Sequence, residues 1–304
     1  MDARQKRRAL YKTWKRGYYH LCTDGWKGGR ICHDERAYVF VVNTISLLNL
    51  LFSVTVHAYE VMRNHLHLLL SGSGADCVAA FDYLKRRIDK MLREDGQPPL
   101  PDDYDFRLIP VEDEEQMRKN FIYIARNASM VQNIRPGGYL FGSSMVFYTD
   151  VPTLLEPVRA GDLSVRELIG MFRTNVPIPP ERPIHPALGM ALPHGFVDQA
   201  VLYKVFPSAR EYETRLVKDY EAFVEIAEQA GEDILFSVEE ARDIVNLELM
   251  KTGRSLSDLS SDERCHLAVQ LNKQFSLDAA TLSRSLFVPV HVVSQVLRSK
   301  QYNK

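Results

Sequence analysis

The sequence has few of the features that mark secreted, disulfide-stabilised or membrane-spanning proteins. Its four cysteines are far apart and form no Cys-x-x-Cys pair, which argues against a disulfide framework or a zinc ribbon. The N-terminus is charged and lacks the apolar segment of a secretion signal. The longest apolar stretch, VFVVNTISLLNLLFSV, is interrupted by Asn, Thr and Ser residues and is too short to span a bilayer comfortably. We therefore expect a cytoplasmic protein with no membrane partner.

The chain also lacks an excess of charge of either sign. The 38 Lys and Arg residues are balanced by 39 Asp and Glu residues, so the whole chain is not an obvious binder of polyanions. Basic side chains are nevertheless concentrated in the runs RQKRR (4–8) and KRR (85–87). For these runs we predict contacts to a nucleic-acid backbone, with solvated surface charge as the alternative for any one residue. The residues are Arg4, Lys6, Arg7, Arg8, Lys85, Arg86 and Arg87.

With 304 residues, the chain is long enough for about two domains. The first 150 residues show patterns in the order strand, helix, strand, strand, helix, strand, helix. This order predicts an α+β domain over residues 1–150, with an antiparallel sheet and helices packed on one face. From residue 150 onward helical patterns dominate, so we predict an all-α C-terminal domain over residues 151–304.

The stretch EVMRNHLHLLLS (60–71) places two histidines in an otherwise apolar strand pattern. His65 and His67 are two residues apart, so their side chains share one face of a strand. Two imidazoles at this spacing are a workable half of a divalent-metal site. One core histidine beside one surface histidine is the alternative for an isolated pair. The metal interpretation therefore needs a third ligand and a reactive group.

The last helix pattern of the first domain supplies candidates for both. In FIYIARNAS, Tyr123 and Asn127 are four residues apart and share one helical face. Asn offers a neutral oxygen ligand for hard cations such as Mg²⁺ or Mn²⁺, and a tyrosine phenol can act as a covalent nucleophile. A tyrosine packed on the sheet and an asparagine near a helix end are the alternative.

Glu60 could be a fourth or water-mediated ligand, or else an exposed strand carboxylate, and we interpret His57 as structural.

Together these features resemble the single-tyrosine HUH transposases (His–hydrophobic–His), especially the REP-associated tyrosine transposases. The resemblance implies a ferredoxin-like or RRM-like nuclease domain. Two departures are Ala128, where the family usually has Pro, and Phe141, near which Trp is common. The matching stretches follow the family's order across roughly the first 150 residues: YHLCTDG (19–25), YEVMRNHLHLLLSG (59–72), FDYLKRRI (81–88), YIARNA (123–128) and YLFGSS (139–144).

The resemblance also implies roles for the four residues, position by position. His65, His67 and Asn127 become ligands of Mg²⁺ or Mn²⁺, and Tyr123 becomes the nucleophile. The implied activity is metal-dependent cleavage and rejoining of single-stranded or hairpin DNA through a 5′-phosphotyrosine intermediate. Such proteins occur as monomers and as dimers, so a homodimer stays open.

A second DNA-binding element is predicted near the C-terminus. Residues 281–297, TLSRSLFVPVHVVSQVL, fit a helix-turn-helix whose turn runs from Phe287 to Pro289. Phe287 stands where Gly is usual and Ser283 where Ala is usual, so a plain helical hairpin is the alternative. If the motif is real, it adds binding of double-stranded DNA. The polar residues expected to meet DNA are Ser294, Gln295, Arg298 and Lys300.

Three functions from different classes fit these patterns. The first is a DNA strand transferase acting through Tyr123. The second is a domesticated, non-catalytic DNA-binding transcriptional regulator that uses the C-terminal motif. The third is a metal-dependent hydrolase in which water is the nucleophile. The set of two histidines, one tyrosine and one asparagine favours the first function, because a pure DNA binder has no chemical need for all four.

Overall fold

The structure, a computed structural model, describes residues 2–23, 30–132, 137–148, 156–231, 238–275 and 277–299. The chain divides into two compact units: Met1–Val217 with Gln229–Glu232, and Lys218–Glu228 with Asp233–Lys304. The predicted boundary near residue 150 falls in 149–155, which lies outside the described residues, as does Lys300. No helix among the described residues is long and apolar enough to cross a membrane.

A four-stranded antiparallel sheet lies at the centre of the first unit. Its strands are β1 (Gly17–Thr23), β2 (Thr55–Val61), β3 (Leu66–Gly72) and β4 (Phe106–Val111), in the spatial order β2-β3-β1-β4. The central strands are therefore β1 and β3, so a side chain on either has neighbours on both sides. With the intervening helices, the element order is that of a ferredoxin-like β-α-β-β-α-β unit. The predicted α+β class is confirmed.

Helices cover both faces of this sheet, whereas the sequence predicts one covered face. The helices of this part are α1 (Ala3–Lys12), α2 (Glu35–Ile45), α3 (Leu48–Leu51), α4 (Gly74–Glu94) and α5 (Glu114–Gln132). On one face, Phe81 of α4 packs against Phe106 of β4, with ring centroids 4.3 Å apart. On the other face, Tyr123 of α5 packs against His67 of β3. A sequence pattern shows that a helix has an apolar side, but not which face of a sheet it covers.

The remainder of the first unit contains a small second sheet within the region predicted to be all-α. Its strands are β5 (Val158–Arg159), β6 (Pro183–His185) and β7 (Met190–Ala191), and its helices are α6 (Val165–Phe172), α7 (Ala200–Val205) and α8 (Ala209–Lys218). Strands of two or three residues are too short to show an alternating pattern. The buried amide of Asn43 on α2 fixes this segment, donating to Gly189 O at 2.9 Å and accepting from Ala191 N at 2.7 Å.

The described elements of the second unit are all helical. They are α9 (Tyr220–Ala230, whose last two residues group with the first unit), α10 (Val238–Lys251), α11 (Ser261–Phe275), α12 (Ala279–Leu286) and α13 (Val290–Arg298). Helix α11 packs against both α12 and α13. This agrees with the helical C-terminal region predicted from the sequence.

Candidate active site

The candidate site lies between the central strands of the large sheet and the helix α5. His67 of β3 is paired with Cys22 of β1 on one side and with Glu60 of β2 on the other. His65 immediately precedes β3 and is half-buried. The helix α5 carries Tyr123 and Asn127 toward these histidines. The structure therefore brings together the four residues that the sequence singles out.

The Asn127 side chain bridges the two imidazoles. His65 Nε2 lies 3.1 Å from Asn127 Oδ1, and Asn127 Nδ2 donates to His67 Nε2 at 3.0 Å. The Nε2 atoms of both rings thus converge on one amide group. Two imidazole nitrogens and an amide oxygen form a donor set that a divalent ion can use.

The opposite nitrogen of each imidazole also has a defined partner. His65 Nδ1 lies 2.8 Å from Asn64 Oδ1, and His67 Nδ1 lies 3.1 Å from His20 Nε2. In His67 an Nδ1–H that donates to His20 leaves the Nε2 lone pair to accept from Asn127, which is the tautomer that a metal ligand needs. Asn64 and His20 can therefore orient both rings toward the same point.

His20 also belongs to the site, although the sequence does not point to it. This histidine is the one histidine of β1, so it has no partner at the i, i+2 spacing that marks His65 and His67. It joins the site because β1 pairs with β3 in the register that sets Cys22 opposite His67, which brings His20 diagonally onto the same face. Only the pairing register carries this information, and the sequence does not reveal it.

Tyr123 is enclosed by imidazole rings. Its ring centroid lies 5.2 Å from that of His67 and 5.6 Å from that of His20, both in edge-on arrangements. The side chain of Tyr123 is 0% exposed, and Asn127 is also buried. Of the four residues, only His65 reaches solvent, so bulk water meets the site on that side.

Burial determines the protonation of His67. Burial is the largest cause that lowers the pKa of His67 well below its usual value, and the charge of His65 lowers it further. The His67 ring is therefore neutral at pH 7. A neutral imidazole offers a lone pair without first having to lose a proton.

Glu60 is fully buried, so its interpretation as an exposed strand carboxylate is wrong. Its Oε1 accepts a hydrogen bond of 2.6 Å from the backbone N–H of Ala128, the residue after Asn127. The edge strand β2 is covered here, because Val61 N bonds Phe141 O. Burial raises the pKa of Glu60 well above its usual range, and the Ala128 bond opposes that rise.

Within the described residues, no three His, Cys, Asp or Glu side chains are grouped so that they could hold a metal ion. Glu60 therefore does not join the two histidines as a ligand in this conformation. The candidate donor set consists of two imidazoles and the amide of Asn127. His57 lies apart from it and bonds Ser71 Oγ at 2.9 Å, in keeping with a structural role.

The predicted DNA-backbone residues of α1 and α4 have protein partners in most cases. Helix α4 lies on the face of the sheet opposite His67, and α1 packs on α4. Lys6 and Arg86 are exposed. The others bond as follows: Arg4 to Asp102 O, Arg7 to Asp105, Arg8 to Asp82, Lys85 to Tyr104 O, and Arg87 to Phe172 O and Arg173 O. Their contacts to DNA stay a prediction.

No protein-family model matches the chain, and no curated protein matches it. A solved structure of a REP-associated tyrosine transposase bound to a REP hairpin is similar to this chain at 16% sequence identity. The similarity covers 47% of this chain and 84% of that chain, with a TM-score of 0.35. Similarity at this level carries no argument about function, which rests instead on the geometry of the site.

Proposed function

We propose that the first unit is a metal-dependent transposase or endonuclease that cleaves and rejoins single-stranded or hairpin DNA through Tyr123. The observation that carries this proposal is the convergence of His65 Nε2 and His67 Nε2 on the Asn127 amide, with the Tyr123 ring against His67. A tyrosine beside a set of metal-binding donors is the pairing that covalent phosphoryl transfer needs.

The donor set fits a divalent ion. His65, His67 and Asn127 would hold Mg²⁺ or Mn²⁺, since two imidazole nitrogens and one amide oxygen leave the ion positions free for other oxygen atoms. Such an ion would neutralise charge on the scissile phosphate. Asn64 and His20 would hold the two rings in the required tautomer through the contacts at Nδ1.

The proposed reaction balances without a further reactant. The phenol oxygen of Tyr123 attacks phosphorus, a phosphotyrosine bond forms, and the bond to the 3′ oxygen breaks. The phenol proton ends on that oxygen, which leaves as a 3′-OH. Attack by a 3′-OH on the phosphotyrosine reverses these steps and rejoins a strand, so the bond energy is conserved.

The burial of Tyr123 favours transfer over hydrolysis only once its phenol has met a DNA phosphate, because burial excludes DNA as well as water. A phosphotyrosine formed at a fully buried side chain is shielded from bulk water, whereas a water nucleophile needs access to the same phosphorus. The same burial favours, as a second candidate function, a non-catalytic DNA-binding regulator in which Tyr123 is a core residue. The covalent intermediate separates these functions.

A denaturing gel tests for this intermediate. Pooled single-stranded hairpins, labelled at the 3′ end, are incubated with the full chain and Mn²⁺ or Mg²⁺, with EDTA in a parallel reaction. The transferase gives a labelled protein–DNA adduct that disappears in EDTA and in Tyr123→Phe. Tyr59→Phe is the matched control, because Tyr59 is another fully buried tyrosine and lies on strand β2 rather than on α5. Cleavage without an adduct would identify a hydrolase, and neither product would identify a regulator.

A further inference from the structure

We propose that α12 and α13 form a helix-turn-helix that binds double-stranded DNA, with α13 in the major groove. This goes beyond the strand transfer proposed for the first unit and does not depend on it. Both helices and the helix α11 that supports them belong to the second unit.

The turn between the helices has the backbone that the motif requires, although its sequence departs from the motif. Phe287 has φ 54° and ψ 44°, the left-handed conformation for which Gly is the usual residue. Its side chain is 65% exposed, so the ring meets little steric resistance there. The N–H groups of Phe287 and Val288 both bond Ser283 O, which closes the end of α12. Pro289 then precedes the first turn of α13.

The apolar residues of the two helices point inward at the positions that hold such a motif together. Both helices have one buried side, and α11 packs against each of them. Arg264 of α11 donates to Leu286 O at 3.3 Å, which satisfies a carbonyl at the end of α12. Val296 is buried, and its neighbour Leu297 is half-buried. The buried set is Leu282, Leu286, Val288, Val293 and Val296.

The outward face of α13 is polar and free of acidic side chains. His291, Ser294, Gln295 and Arg298 have the spacing i, i+3, i+4, i+7 and therefore share one side of the helix. They line one shallow surface depression. Residues 279–299 contain no Asp or Glu, so nothing on these two helices repels a phosphate backbone.

The chemistry of this face points to duplex DNA. Arg bonds guanine and Gln bonds adenine in a bidentate manner through the major-groove edges of the bases, and Ser bonds either base. Ser294 and Gln295 lie in the middle of α13, within reach of the base edges that a recognition helix contacts, and Arg298 is its last residue. A membrane or a protein partner would call for a broad apolar patch, whereas Gln295 and Arg298 are both exposed and polar. Double-stranded DNA is the partner that complements both the charge and the hydrogen-bonding groups.

Selection from a random duplex pool tests the proposal. The full chain carrying Tyr123→Phe is used, because this variant lacks the proposed nucleophile of the first unit and therefore does not cleave the duplex DNA. Selected duplexes are then compared by fluorescence anisotropy with scrambled duplexes and with the separate single strands. We expect a reproducible enriched sequence, bound at least about tenfold more tightly than its scrambled form.

Single substitutions then assign the binding to α13. Gln295→Ala should weaken binding of the selected duplex about 5- to 150-fold, as expected for loss of one bidentate base contact. Arg298→Ala should weaken binding, and it should also lower the salt slope by about one if Arg298 contacts a phosphate. Gln270→Ala is the matched control, because Gln270 is an exposed glutamine on α11, and it should leave the affinity unchanged. Thermal unfolding of each variant checks that the fold is intact.

Three results would overturn the proposal. The first is the absence of an enriched sequence. The second is an equal loss of duplex affinity in Gln295→Ala and Gln270→Ala. The third is self-association of the chain that Gln295→Ala disrupts while DNA binding is unchanged. The hairpin adduct assay on Gln295→Ala keeps the two proposals apart. An adduct without duplex binding would overturn only the helix-turn-helix, and duplex binding without an adduct would overturn only the strand transferase.

Discussion

Removal of His20 should weaken metal binding without removing any proposed ligand. His20 Nε2 lies 3.1 Å from His67 Nδ1, and both of these histidines are fully buried. In His20→Phe a ring still fills the space, but His67 loses that acceptor at Nδ1. Loss of a hydrogen-bond partner in a buried site costs about 1–3 kcal/mol, and partners of metal-bound histidines typically contribute 10- to 100-fold in affinity. We therefore expect Mn²⁺ to bind about 10- to 100-fold more weakly.

Calorimetric titration of the full chain with Mn²⁺ measures this effect. His20→Gln is the rescue variant, because its Oε1 can accept from His67 Nδ1, and it should recover most of the affinity. His67→Ala removes a proposed ligand and should lose binding altogether. Mn²⁺ affinity that is equal in His20→Phe and in the unaltered chain, while His67→Ala loses binding, would refute the orienting role of His20. Urea unfolding of each variant separates metal affinity from a change in fold.

Three further substitutions test other parts of the structure by urea unfolding. Burial raises the pKa of Glu60, so its contribution to stability is complete below the unfolded pKa of about 4.3 and is lost as pH rises through the folded pKa. Glu60→Gln should remove this loss and raise the free energy of unfolding at pH 7, and a lower value would contradict the reasoning. Phe287→Val should be less stable than Phe287→Gly by about 1 kcal/mol. This is the free energy that a Cβ costs in the left-handed conformation, minus the conformational entropy that glycine loses on folding. Equal stabilities would count against a left-handed backbone at Phe287. Arg126→Leu should lose about 3 kcal/mol or more, because the buried guanidinium donates to Leu216 O and Val217 O, and a loss below about 1 kcal/mol would show that these bonds contribute little.

The sequence predicts the elements of the first unit because their periodicities are strong. Alternation in 53–71 marks the hairpin of β2 and β3, and the 3.6-residue period marks α4. The i, i+2 and i, i+4 spacings also place His65 with His67 and Tyr123 with Asn127. Each of these inferences uses residues that are close in the chain.

The features that the sequence misses depend on distant residues. The place of His20 follows from the register of β1 on β3, and the covering of β2 by the segment around Phe141 buries Glu60. Likewise, a basic run does not reveal that Arg7 pairs with Asp105, 98 residues further along the chain. Sequence spacing carries no information about such partners.

The left-handed backbone at Phe287 is a further feature that the sequence does not predict. The residue type argues against the turn of a helix-turn-helix, because a Cβ disfavours this conformation by about 1–2 kcal/mol. The packing of Leu282, Leu286 and Val288 nevertheless holds the chain in it. Tertiary packing can therefore impose a backbone that the local sequence does not favour.

Mass spectrometry of the covalent adduct tests the central claim most directly. Trypsin cleaves after Lys119 and Arg126 and releases the peptide NFIYIAR, in which Tyr123 is the one tyrosine. After the chain has reacted with hairpin DNA and Mn²⁺, and nuclease has trimmed the DNA, this peptide should carry the mass of a 5′-phosphodeoxynucleotide. A nucleotide attached to any other peptide, or hairpin cleavage that leaves NFIYIAR unmodified, would contradict the role of Tyr123 as the nucleophile.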